Sequence, residues 1–133
     1  MQIVDKPWGF EQRFSVNQLT TVKMLYIKQN EMTSYQYHQS RDEEILVVKG
    51  LLKVCYQEEG EEKEVIMTEH SAPMLIPRRI PHRFIAADVG KIGVVWVLEI
   101  STGTYSEVDI TRIDDKYGRG RNKDVNSAFV VEE

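Results

Sequence analysis

The chain has 133 residues, 41% of them hydrophobic and 29% charged, with a single cysteine and a formal net charge of -4 from 17 basic and 21 acidic side chains. That is one domain's worth of chain, able to bury about two thirds of the surface its unfolded form exposes, so a core needs neither disulfides nor a structural metal. A lone Cys55 excludes an internal disulfide, and the acidic balance gives no overall basic surface for a nucleic acid backbone.

The opening MQIVDKPWGFEQRF has neither the basic start nor the apolar stretch of a secretory signal, and no run approaches the roughly 18 to 20 apolar residues of a membrane span. The expectation is a soluble, cytoplasmic protein with no membrane or nucleic acid partner. In TTVKMLYIKQ, Val22, Met24 and Tyr26 alternate with Lys23, Leu25 and Ile27, the period of a strand. ILVV at 45–48 is a short apolar run ended by Gly50, and LLKVCYQ at 51–57 is a second strand with Cys55 as a small apolar residue. EEGEE at 58–62 is a solvated turn with Gly60 free to take positive φ, and KEVIM resumes the alternation from 63. Further short strands are predicted at 73–76, 82–86 and 91–100. The recurrence of turn signals without a helical apolar stripe is the pattern of an all-β sandwich or barrel. Beyond residue 103 there is room for some helix. GRGRNKDVN at 118–126 is the loosest segment, ahead of an AFVV that can pack on the body or on a second copy.

Two of the three histidines sit in ligand-like settings. Gln36 and His38 are two apart, so a strand projects both to one face, and Glu43 follows after room for a bend. His82 comes from a second segment. Two imidazoles, a carboxylate and an amide oxygen suit a divalent first-row metal with positions left open. On spacing alone, a chance pairing in so acidic a chain stays open as the ordinary alternative.

The segment resembles the first cupin motif, histidine-x-histidine, three or four residues, glutamate, six residues, glycine. Gln36 replaces the first histidine, and His38, Glu43 and Gly50 fit as they stand. Pro77-Arg78-Arg79-Ile80-Pro81-His82 is similar to the second motif, with Arg79 where the family has glycine, and Ser71 and Ala86 also departing from it. Asn30 stands where the first motif begins with glycine, and Asn tolerates left-handed backbone. Four blocks narrow the resemblance to the mannose-6-phosphate isomerase domain that forms the C-terminal half of bifunctional isomerase and mannose-1-phosphate guanylyltransferase enzymes. They are KPWG at 6–9, SYQYHQSRDEEILVVKG at 34–50, IPRRIPHR at 76–83 and LEISTGTYSEVDITRIDDKYGR at 98–119. The glycine-rich nucleotide loop of the transferase half is absent from the sequence, so no nucleotide transfer is expected.

The resemblance implies a single cupin domain over 1–133, a double-stranded β-helix (jelly-roll) barrel, with 119–133 as a flexible or interface tail. It implies Gln36, His38, Glu43 and His82 as metal ligands, with zinc first and manganese, cobalt, nickel or iron as alternatives. It places Arg41 and Arg119 at the mouth as catalytic and phosphate-binding residues, because arginine's fork suits a phosphate. Arg78, Arg79 and Arg83 are supplementary candidates. Trp8 is either an apolar wall of the pocket or a plain core residue, and His70 has no assigned role. The implied reaction is aldose to ketose isomerisation of a sugar phosphate, foremost mannose 6-phosphate to fructose 6-phosphate, by a homodimer serving polysaccharide biosynthesis. The proton carrier stays open among Lys23, Glu99, Tyr105 and Asp109. Two alternatives stand beside this: another sugar or nucleotide-sugar isomerase or epimerase on the same scaffold, and a non-enzymatic sugar-binding or regulatory cupin.

Overall fold

The structure, a computed structural model, describes residues 1–17, 19–87, 93–104, 106 and 108–119. Its strands are β1 (Gln2–Lys6), β2 (Gly9–Val16), β3 (Thr20–Lys28), β4 (Tyr35–Tyr37), β5 (Arg41–Lys49), β6 (Leu52–Glu58), β7 (Glu61–Met67), β8 (Met74–Ile76), β9 (His82–Ala86), β10 (Val94–Gly103) and β11 (Thr111–Asp114). They form a six-stranded sheet, β1-β2-β3-β10-β5-β8, and a five-stranded sheet, β11-β4-β9-β6-β7, with every pairing antiparallel. The strands predicted at 45–48, 51–57, 73–76 and 82–86 all lie in observed strands, trimmed or extended at their ends. No helix occurs among the described residues, so none is long and apolar enough to cross a membrane. Residues 120–133, with the AFVV segment, lie outside the described residues, as do 91 and 92 of the predicted strand.

The β6–β7 hairpin turns on Glu59 and Gly60, with φ of 53° and 81°. Two consecutive positive values make the mirror-image turn whose twist matches the flanking strands. Gly60 takes the freedom expected of it, and Glu59 takes the same region despite its side chain.

The inward faces of the long strands change character halfway along. On β3, Leu25 and Ile27 are buried with Lys23 and Thr21; on β10, Val95 and Val97 with Glu99 and Ser101; on β5, Ile45 and Val47 with Arg41 and Glu43. Register sets Val97 opposite Leu25 and Val47 and Ser101 opposite both Thr21 and Glu43, with Glu99 at the boundary between the two halves, opposite Lys23 on one side and Ile45 on the other. One half of the interior is therefore an apolar core, completed by Trp8, Leu52, Val54, Met67, Ile76, Phe84 and Ala86. The other half is a chamber of buried polar and charged side chains. Burying charge is costly unless it is paired, so the chamber is the part of the barrel that stability alone does not explain. The apolar half supplies the driving force that carries it.

Candidate metal centre

His38 follows directly on β4, Glu43 lies on β5 and His82 opens β9, and all three are buried in the polar chamber. One potential ligand atom from each lies within 4.8 Å of the others. His38 Nε2 is 3.2 Å from Glu43 Oε2, and His82 Nε2 is 3.1 Å from Glu43 Oε1. The opposite ring nitrogens meet backbone carbonyls: His38 Nδ1 lies 2.7 Å from the Asp109 oxygen and His82 Nδ1 3.0 Å from the Ile80 oxygen. A carbonyl can only accept, so each Nδ1 carries a hydrogen and each Nε2 turns a lone pair toward Glu43. Two lone pairs then face one carboxylate, an arrangement that needs positive charge between them. Either a proton or a cation meets that need, and two imidazoles with a carboxylate are a fitting donor set for a divalent metal.

The titration behaviour follows from the same geometry. Burial alone would push Glu43 up, but the charges and hydrogen bonds of His38 and His82 outweigh it and hold the carboxyl well below its usual range. Burial works against a charged His82 ring, yet the hydrogen bond and charge of Glu43 raise it overall. Glu99 goes the other way, pushed well above the carboxylate range by burial and by the charge of Glu43. The Ser101 hydroxyl donates to Glu99 at 3.4 Å.

Gln36 is the cross-strand partner of His82 and, with His38 and Glu43, lines a cavity; its Oε1 accepts from the Ser34 hydroxyl at 2.5 Å. Trp8, Lys23, Gln36, His38, Arg41, Glu43, Glu99 and Arg119 are among the residues that line the cavity. Trp8 packs in the apolar core and also lines the cavity. Arg41 is buried with Nη2 3.3 Å from His38 Nδ1. Arg119 is held from behind by Asp115, its Nε donating to Oδ2 at 2.9 Å and its Nη2 to Oδ1 at 3.2 Å.

Two of the supplementary arginines have carboxylate partners. Arg78 pairs with Asp42 at 3.3 Å, and Arg83 donates to the Thr33 carbonyl at 2.9 Å and to the Asp114 carboxylate at 3.1 Å. Arg79 takes the glycine position of the second motif with φ of 69°, and Asn30 is left-handed at the same value. Among the candidate proton carriers, Lys23 and Glu99 line the cavity. Asp109 does not, its carboxylate accepting instead from the backbone N–H of Gln39 at 2.7 Å and of Ser40 at 2.9 Å. Tyr105 lies outside the described residues.

Lys6, Glu11 and Arg112 also line the wall and were not singled out in the sequence. Arg112 is buried on β11 opposite Gln36. Glu11 joins Arg13 at 2.8 Å and Lys23 at 3.5 Å in a buried ion cluster. A usable signal was present for Lys23 and Glu99: each is in phase with the buried apolar residues of its own strand.

Residues 1–115 match the family described as mannose-6-phosphate isomerase C-terminal. The chain belongs to that family. A mannose-1-phosphate guanylyltransferase of Salmonella montevideo is 34% identical over 117 residues, and the alginate biosynthesis protein AlgA of Pseudomonas aeruginosa is 32% identical over 117. Each match covers 87% of this chain but 23% of the relative, so this member of the mannose-6-phosphate isomerase C-terminal family spans less than a quarter of the curated relatives it matches. Among solved structures, the capsular polysaccharide assembling protein CapF of Staphylococcus aureus superposes with a TM-score of 0.72 at 14% identity, over 85% of this chain and 34% of its own. An oxalate decarboxylase variant of B. subtilis gives 0.71 at 16% identity, over 98% of this chain and 35% of its own. Likeness at that identity speaks for fold alone, and the fold is the cupin jelly-roll barrel that the motifs implied.

Proposed function

We propose that the polar chamber is the active site of a metal-dependent aldose–ketose isomerase for a phosphosugar, with mannose 6-phosphate and fructose 6-phosphate as the substrate pair. The observation that carries this reading is the pair of Nε2 atoms facing Glu43, 3.2 and 3.1 Å away, with His38 and Glu43 lining a cavity that also presents Arg119. His38, Glu43 and His82 would hold the metal, zinc first among the divalent ions, with Gln36 as a fourth ligand. Bound there, a divalent cation supplies Lewis acidity that stabilises the negative oxygen developing as a proton moves between adjacent carbons. Arg119 and Arg41 are assigned the phosphate and its orientation, and the indole of Trp8 gives the sugar an apolar wall. Proton transfer falls to Lys23 or Glu99, both of which line the cavity.

The names of the relatives support a place in supplying activated sugars for polysaccharide, and the reading extends to a cytoplasmic homodimer. An unpaired sheet edge invites a partner, and among the described residues β1, β8, β7 and β11 are the edge strands. Light scattering tests the dimer.

The deciding experiment is a coupled assay of mannose 6-phosphate isomerisation by protein purified without a histidine tag, stripped with a chelator and reloaded with zinc or another divalent ion. Activity that disappears and returns with metal is expected; full activity in the stripped protein would overturn the mechanism. Arg119→Ala should raise KM for the phosphosugar about 10- to 100-fold, the worth of one charged hydrogen bond. A panel of other sugar phosphates and nucleotide sugars identifies the substrate.

A further inference from the structure

We propose that Asp109 is the positioning residue that sets His38 in its metal-binding form, an inference that rests on reading His38, Glu43 and His82 as a metal centre. Asp109 acts at two points. Its main-chain carbonyl oxygen lies 2.7 Å from His38 Nδ1, and its carboxylate accepts from the backbone N–H groups of the next two residues, Gln39 at 2.7 Å and Ser40 at 2.9 Å.

The carbonyl matters because His38 has two neighbours with opposite demands on Nδ1. The carbonyl of Asp109 can only accept, so it requires hydrogen on Nδ1 and leaves Nε2 bare. The guanidinium of Arg41, with Nη2 3.3 Å from the same atom, can only donate, so it requires a bare Nδ1 and moves the hydrogen to Nε2. The second arrangement blocks the nitrogen that faces Glu43. Without a cation the Glu43 carboxylate, 3.2 Å from Nε2, also asks for hydrogen on that nitrogen; at 2.7 Å, against 3.3 Å for Arg41 and 3.2 Å for Glu43, the carbonyl of Asp109 holds the closest contact, and the tautomer goes with it.

The carboxylate keeps that carbonyl in place. His82 takes its acceptor from Ile80, two residues away on the same segment, whereas His38 takes its acceptor from a segment 71 residues distant in the chain. A contact between two remote segments holds only while they are fastened together. The two carboxylate bonds to Gln39 and Ser40 are that fastening, made to the backbone immediately after His38. This use of Asp109 also removes its carboxylate from the candidate proton carriers.

The test is zinc affinity, measured by competition with a chromophoric chelator, for the wild-type protein, Asp109→Ala, Asp109→Asn and His38→Ala. Asp109→Ala should weaken zinc binding about 10- to 100-fold, the usual cost of losing a partner behind a metal ligand. Asp109→Asn should recover part of the loss, because its amide oxygen still accepts one of the two N–H bonds. Wild-type zinc affinity in Asp109→Ala, with binding lost in His38→Ala, would overturn the proposal while sparing the metal reading. A second measurement needs neither zinc nor a folded variant. Long-range nitrogen-15 spectra of the wild-type imidazoles, recorded above their titration without zinc, should show His38 with hydrogen on Nδ1. Hydrogen on Nε2 instead overturns the proposal, and absence of zinc binding by the wild type, with hydrogen on Nδ1, overturns the metal reading and leaves the Asp109 contact standing.

Discussion

The backbone N–H of Arg79 donates to the carbonyl of His38 at 2.7 Å, tying the segment that leads into one histidine of the centre to the residue that is the other. Arg79 makes this bond from a left-handed backbone, φ 69°, at the place where the family's second motif has glycine. The turn is thus left-handed at a residue that carries a side chain. A Cβ in that region costs roughly 1–2 kcal/mol, and glycine gives back part of the difference through its greater freedom in the unfolded chain. Arg79→Gly should therefore stabilise the protein by about 0.5–1 kcal/mol. The check is a urea unfolding midpoint; a lower midpoint would mean that the Arg79 side chain makes contacts worth more than the strain.

Asp115 and Arg119 give a prediction with a definite pH window. Burial pushes the Asp115 carboxyl up, but the hydrogen bonds and charge of Arg119 outweigh it and leave the carboxyl below its usual value. A folded value lower than the unfolded one, about 3.9, stabilises the fold above that pH and ceases to do so as pH falls through the folded value. Asp115→Asn should cost about 1–2 kcal/mol at pH 7, and the gap from wild type should close below about pH 4. Paired urea titrations at neutral and acid pH check this. A gap that stays constant would assign the cost to packing.

Legibility in the sequence followed the physics of each element. Strands β3, β5, β6 and β10 announce themselves because their apolar residues alternate or run together. Strand β2 did not, because its inward face carries Glu11 and Arg13 in place of apolar residues, and an alternation of hydropathy cannot be read from charges. Strand β4 spans only Tyr35–Tyr37, too short for any period. The four proposed ligands were legible because the motif fixes their spacing. The role of Asp109 was not, since its contact with His38 is made by a backbone carbonyl, an atom every residue possesses. The chamber as a whole lay between these cases: Lys23, Glu43 and Glu99 each fall in phase with buried apolar neighbours, but only the register shows that they share one end of the barrel.

Gly9 closes the KPWG block, and its role is steric. It has φ of 153°, and a Cβ built there would sit 1.9 Å from the backbone oxygen of Tyr26, an atom fixed by the β2–β3 pairing. Nothing flexible is available to move aside. Gly9→Ala should cost on the order of 3 kcal/mol or more and loosen the wall formed by neighbouring Trp8. Thermal unfolding read by near-ultraviolet circular dichroism measures both effects, and a variant as stable as wild type would show that the two strands can separate locally at little cost.

Glu43→Gln separates the chemistry of the centre from its packing. The substitution keeps the shape of a side chain toward which both Nε2 atoms point. With Nδ1 of each histidine committed to a carbonyl, the amide nitrogen can donate to one Nε2, while the amide oxygen meets the lone pair of the other. That leaves one unfavourable buried contact, worth about 1–3 kcal/mol, and no negative charge to hold a cation. The expected result is a folded protein, modestly less stable, whose zinc affinity falls by more than the roughly 100-fold upper limit for losing a residue behind a ligand. Chelator competition and thermal melts decide it together. Wild-type zinc affinity in a folded Glu43→Gln protein would mean that the charge facing His38 and His82 is there for a proton, and that the cation sits elsewhere or nowhere in this barrel.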